Sequence, residues 1–187
     1  MLRLKEYKAN FHHHEIPDEL AQLVAFQNSL GTLPFCRGFG LALDDRALMR
    51  PISEKREFLD ALCPLGKANS ANAVYAIWAR DGEKQVGACP VLAFDGEGSV
   101  HVVTENLLQL MRLLTLDTEP LIDQESILFL KDESEAASPG ATSYAEWLEK
   151  HLHQRPVVGA AEVELLVRSA QRLLEKPLHN WLKHFRT

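Results

Sequence analysis

The segment from Ala73 to Val103 constrains the fold more than any other part of the chain. Ala73-Val74-Tyr75-Ala76-Ile77-Trp78-Ala79 is short, apolar and rich in residues that suit a pleated surface. Asp81-Gly82 can turn the chain after it. Pro90-Val91-Leu92-Ala93-Phe94 is the next such run, and Pro90 fits its first position, where a missing N–H does no harm. Asp95-Gly96-Glu97-Gly98 reads as a hairpin turn, because glycine supplies the positive φ that tight turns need. Val100-His101-Val102-Val103 then returns. The centre of the chain therefore reads as sheet.

Helical signals flank it. Pro17, Asp18 and Glu19 suit the first turn of a helix carrying Leu20, Leu23, Val24 and Leu30, with Phe26 to one side and Gly31 as its stop. The stretch 35–45 suggests a strand with a glycine-rich entry. Ser53 is expected to cap a short helix bearing Phe58, Leu59 and Leu62, with Pro64 just past its end. After the hairpin, Thr104 is expected to cap a helix whose Leu107, Leu108, Met111 and Leu114 share a face widened by Leu110 and Leu113. Ile127-Leu128-Phe129-Leu130 suggests one more strand. Residues 134–142, small and with a Pro-Gly step, read as a flexible segment. Ser143-x-x-Glu146 reads as a capping box ahead of Tyr144, Trp147, Leu148, His151 and Leu152. Val163, Leu166, Val167, Ala170, Leu173 and Leu174 keep helical spacing, and Pro177 is expected to open a final helix with Leu178, Trp181, Leu182 and Phe185. Trp147 and Trp181 sit on apolar helix faces and are expected in the core. At 187 residues this is the length of one ordinary domain, α+β in class with a helical C-terminal third.

Composition narrows the function. The formal net charge is −6, which disfavours direct nucleic-acid or anionic-membrane binding and suits a basic protein partner. Residues 1–150 hold 14 Lys and Arg against 23 Asp and Glu; residues 151–187 hold 6 against 3. The acids are densest at Asp117, Glu119, Asp123, Glu125, Asp132, Glu133 and Glu135, against Lys131 alone. Such a run is either a solvated loop and strand edge or a patch that meets a basic partner. No apolar run approaches the roughly 18 residues of a membrane span. Charge at the N-terminus argues against a signal peptide. Cys36, Cys63 and Cys89 lack paired spacing and read as reduced, buried thiols in a cytoplasmic protein.

No catalytic or metal motif emerges. Consecutive His12, His13 and His14 cannot all face one metal from a regular helix or strand, and read as a loop before the first long helix. His151 and His153 diverge on a helix, and His179 and His184 are off-register for a pair. Cys36 could be activated by Arg37, but Phe35 and Phe39 suggest burial. Gly38-Phe39-Gly40 lacks the rest of a phosphate loop, and Asp44-Asp45 is a common turn pair. No nucleophile elbow is present.

Three stretches carry a family resemblance. Ile16-Pro17-Asp18-Glu19-Leu20 through Phe26-Gln27-Asn28 is similar to the opening helix of the SUKH superfamily, best known from its Smi/Knr-like branch. Tyr75-Ala76-Ile77-Trp78-Ala79 resembles its central strand. Pro90 to Gly98, Val100 to Val103 and Leu107 to Leu114 resemble its hairpin and the leucine-rich helix that follows. Trp147-Leu148 and the segment ending in Trp181 are similar to its tail. Ser29, Asp95 and Val103 depart from the family pattern, as in a divergent branch. The resemblance implies a single domain over residues 1–187, with a central, mainly antiparallel sheet and helices packed around it. It implies a binding module rather than an enzyme, and with no metal or catalytic motif in the chain no cofactor is expected. Bacterial members are commonly immunity proteins that neutralise a cognate toxin, often a nuclease; others are regulatory interaction proteins. On this expectation, Asp117 to Glu135 is the candidate partner surface.

Overall fold

The computed structural model describes residues 1–44, 46–80 and 85–186, so the expected Asp81-Gly82 turn and Asp45 lie outside the described residues. Five strands form an antiparallel meander: β1 (Gly40–Leu41), β2 (Leu62–Lys67), β3 (Val74–Trp78), β4 (Val91–Phe94) and β5 (Val100–Thr104), adjacent in that order. The helices are α1 (Leu4–Tyr7), α2 (Asp18–Ser29), α3 (Arg56–Asp60), α4 (Leu107–Leu113), α5 (Ala141–Leu152) and α6 (Ala160–Leu182). A separate antiparallel pair, β6 (Pro120–Ile122) and β7 (Ile127–Phe129), completes an α+β fold.

The sheet is buried on both sides. From β3, Tyr75 and Ile77 enter one core, while Val74, Ala76 and Trp78 enter the other. From β4, Val91 and Ala93 share the first core, and Leu92 and Phe94 the second. Two buried faces are why these strands read as continuous apolar runs rather than as alternation. Residues of α2, α4, α5 and the β6–β7 pair build the first core; Phe58 of α3 joins the second. Helix α6 serves both, with Val163 and Val167 in the first and Ala170, Leu174, Leu178 and Leu182 in the second. Trp181 stacks on the buried Phe58 at 5.0 Å and Trp147 on the partly buried Phe26 at 4.9 Å, so both indoles, expected in the core, pack half-buried against its edge.

The β4–β5 turn forms as the sequence predicts. Asp95 Oδ1 accepts from the N–H groups of Glu97 and Ser99 at 2.8 and 2.9 Å, and Gly96 takes φ +83°. Gly31 likewise ends α2 at φ +68°.

Several boundaries differ from the sequence expectation. Leu62 and Pro64 belong to β2, not to a helix and its stop; α3 ends at Asp60. Pro64 is tolerated because the register shifts between it and Gly66, where a Cβ would collide with the Gly40 carbonyl. Ser53 accepts from the Lys55 N–H ahead of α3 rather than capping it. Thr104 stays in β5; the cap of α4 is Asn106, whose Oδ1 accepts from Gln109 N–H at 2.9 Å. Ser143 lies inside α5, which starts at Ala141, so the expected capping box is not made. Gly140 precedes it at a close approach to Pro34 and Phe35 that leaves little room for a side chain. Pro177 does not open a new helix: α6 runs through it. Pro177 and Leu173 are both exposed, so solvent can meet the carbonyl that proline leaves unpaired, while Leu174 and Leu178 pack on either side. Leu173, expected on the packed face, points to solvent. The strand expected over 35–45 is reduced to Gly40–Leu41, and β6 was not foreseen.

The N-terminal residues pin the β1–β2 side. Tyr7 donates to Leu65 O at 2.8 Å, and Asn10 Nδ2 donates to Ala42 O and Pro64 O. The buried Arg46 guanidinium donates to the carbonyls of Leu59, Leu62 and Asn10. These bonds satisfy carbonyls that the bulge and helix end leave open.

Candidate partner-binding surface

The acidic stretch divides into one buried anchor and a set of surface carboxylates. Asp117 follows the short turn after α4 in a left-handed conformation and is 4% exposed. It accepts from Arg37 N–H, Ser138 N–H and Ser138 Oγ, each at 2.7 Å. Burial opposes its ionisation, but the hydrogen bonds from Ser138 and Arg37 outweigh that cost and hold its pKa below the ordinary carboxylate value. Asp117 is thus a structural anchor rather than a partner-binding residue, which corrects its inclusion in the candidate surface. It fastens three stretches of chain together, and sequence reasoning missed both its partners. An acid in a polar run carries no local mark of burial.

Residues 134–142 are hydrogen-bonded to the body of the protein. Besides the Ser138 bonds, Ala136 O accepts from Arg37 Nη2 at 2.6 Å, and Gly140 N–H donates to Pro34 O at 3.0 Å. Glu135 Oε2 lies 3.3 Å from Arg37 Nε in an ion pair. Glu119 is half-buried and accepts from Ser70 N–H and Ser70 Oγ.

The remaining acids are exposed. Asp123 accepts from the N–H groups of Glu125 and Ser126 at the β6–β7 turn, and Asp132 accepts from Ser134 Oγ and N–H just past β7. These bonds hold both carboxyls below the ordinary range. Among the described residues, the side chains of Glu125 and Glu133 have no hydrogen-bond or ion-pair partner. Lys131, the one cation of the stretch, gives its ammonium to Leu116 O and Asp117 O at 2.9 and 3.1 Å. Because β6 and β7 are antiparallel, Glu119, Asp132 and Glu133 fall at one end of the hairpin and Asp123 and Glu125 at the other. His101 Nε2, 2.7 Å from Asp123 O, ties the turn to β5.

Other candidates are less suited to chemistry. Burial raises the Cys63 thiol to about 12 and Cys36 further still, with Asp117 adding to the latter, so neither offers a thiolate near neutral pH. His12 Nε2 sits 3.5 Å from Asp60 Oδ1; partial burial, then Arg46, lowers its pKa. The His13 and His14 rings lie 4.2 Å apart. Among the described residues, no group of three His, Cys, Asp or Glu side chains could hold a metal ion. An open cleft of about 770 Å³ between β5 and α6 carries both signs, with Glu97, Glu175, Lys176 and Arg186 among its lining residues. Among the described residues, no helix is long and apolar enough to cross a membrane. The chain matches no family model, and no curated protein or solved structure matches it.

Proposed function

We propose that the protein is a non-catalytic, SUKH-like binding module that acts in the cytoplasm as an immunity protein, neutralising a cognate toxin by covering its basic surface. The observation that carries this reading is the set of exposed carboxylates Asp123, Glu125, Asp132 and Glu133 around one hairpin whose only lysine is turned inward to backbone carbonyls. A nuclease toxin concentrates Lys and Arg where it holds phosphates, and an acidic cover competes for that surface and steers association. All three thiols are buried, and burial makes those of Cys36 and Cys63 weakly acidic, which suits a binding role better than nucleophilic catalysis.

The test is affinity capture with the tagged protein from its own host's lysate, read by mass spectrometry. Recovery of a modular toxin or its C-terminal domain is expected, together with loss of that toxin's activity on addition of the protein. Recovery of signalling or housekeeping proteins with no toxin would replace the immunity reading with a regulatory module.

A further inference from the structure

The outward face of the β6–β7 hairpin departs from what an exposed sheet face ordinarily shows. Ile127 and Phe129 turn into the core, so Leu121, Leu128 and Leu130 turn out, at 57%, 49% and 61% exposure. Leu121 and Leu128 are direct cross-strand partners, and Leu130 follows just past the end of β7. Leu121 and Leu128 therefore form an exposed apolar pair with the exposed Leu130 beside them in the chain, where a hairpin packed on one side would usually present polar residues. The carboxylates rim this patch at both ends of the hairpin. Arg37 is paired with Glu135 and also attracts Asp132, and Lys131 is spent on backbone carbonyls, so Glu125 and Glu133 keep an unpaired charge on the rim.

We infer that this face is a docking site for a basic protein segment that carries apolar side chains between its lysines or arginines. An apolar centre within a charged rim is the arrangement in which a few central contacts supply affinity and the rim excludes water and selects the partner. The charge decides among occupants. An acidic segment is repelled, and a second copy presenting the same face would set carboxylates against carboxylates. The inference deepens the binding-module reading and rests on it, by naming the centre of the surface and the chemistry that fits it.

The probe is a seven-residue peptide alternating lysine and leucine, titrated against the full chain by calorimetry beside lysine–serine and glutamate–leucine counterparts. The lysine–leucine peptide is expected to bind at least about tenfold tighter than either. The L121S/L128S variant should lose at least about tenfold in affinity while keeping the wild-type salt dependence; E125K/E133K should lose as much and flatten it. Substituted leucines this exposed should leave the thermal midpoint nearly unchanged. L165S/L173S, at exposed leucines of α6, should bind as wild type. Equal binding of the three peptides, or wild-type affinity in L121S/L128S, would overturn the site. So would concentration-dependent dimerisation that L121S/L128S abolishes, because the occupant would then be a second copy. A captured toxin that binds L121S/L128S as tightly as wild type would overturn the site and leave the immunity reading standing. Selective peptide binding at the hairpin without any captured toxin would do the reverse.

Discussion

Strand β3 and strand β7 are both short and apolar, yet Val74–Trp78 is buried on both faces and Ile127–Phe129 on one. In β3 every side chain meets a core, so its residues are spent on stability. In β7 the alternation divides the work: Ile127 and Phe129 anchor the hairpin, and Leu128 remains free. The larger sheet is a scaffold filled from two sides, whereas the smaller one is a surface displayed on that scaffold. Substitutions should therefore separate stability from binding according to which sheet they strike.

The largest effect is expected at Trp78→Ala, which removes a side chain packed against Trp181 in the second core. It should cost about 3–5 kcal/mol in urea unfolding. A loss under about 1 kcal/mol would mean that the second core does not carry the sheet.

Asp117→Ala should cost about 2 kcal/mol, since three hydrogen bonds to a buried carboxylate are lost and their donors left open. Its pH dependence has a definite sign. The folded pKa lies below the unfolded value of about 3.9, so the ionised group's contribution is fully present above that value. It is lost as pH falls through the lower folded pKa. Wild type should thus lose its advantage over Asp117→Asn on acidification, as measured by unfolding at successive pH values. An advantage that persists into strong acid would contradict the anchor.

Glu162→Gln comes next, at about 1 kcal/mol. Glu162 accepts from Val158 N–H at 2.7 Å at the start of α6 and pairs with Arg112 of α4 and with Arg155. A thermal melt checks it; an unchanged midpoint would show that the contact is not limiting. Smallest for stability is Leu128→Ser, within about 0.5 kcal/mol because the side chain is half in water. Its effect should appear in partner affinity instead, measured by calorimetry on the same preparation.

The contrast between the sheets also shows what could be read from the chain. β3 and β4 are legible because two buried faces leave an uninterrupted apolar signal, and β5 because the Asp95–Gly98 turn sets it off from β4. β2 was hidden by Pro64 and Gly66, which signal a break locally but sit at a bulge in the folded sheet. α6 was read as two helices because the local cost of Pro177 is visible in sequence, whereas the packing of Leu174, Leu178 and Leu182 that offsets it is tertiary. The candidate surface was half legible. The excess of carboxylates showed directly, but the burial of Asp117 depends on Ser138 and Arg37, distant in sequence. Leu128 is legible as a strand residue, yet its outward direction depends on which face of the hairpin meets the core, which period-2 alternation alone leaves open.

Hydrogen–deuterium exchange across the chain, with and without the captured partner at saturation, tests the central claim most directly. Binding through the displayed hairpin predicts new protection over residues 118–133, with the amides of β3 and β4 unchanged. Protection confined to the β5–α6 cleft, with the hairpin exchanging as in the free protein, would contradict it.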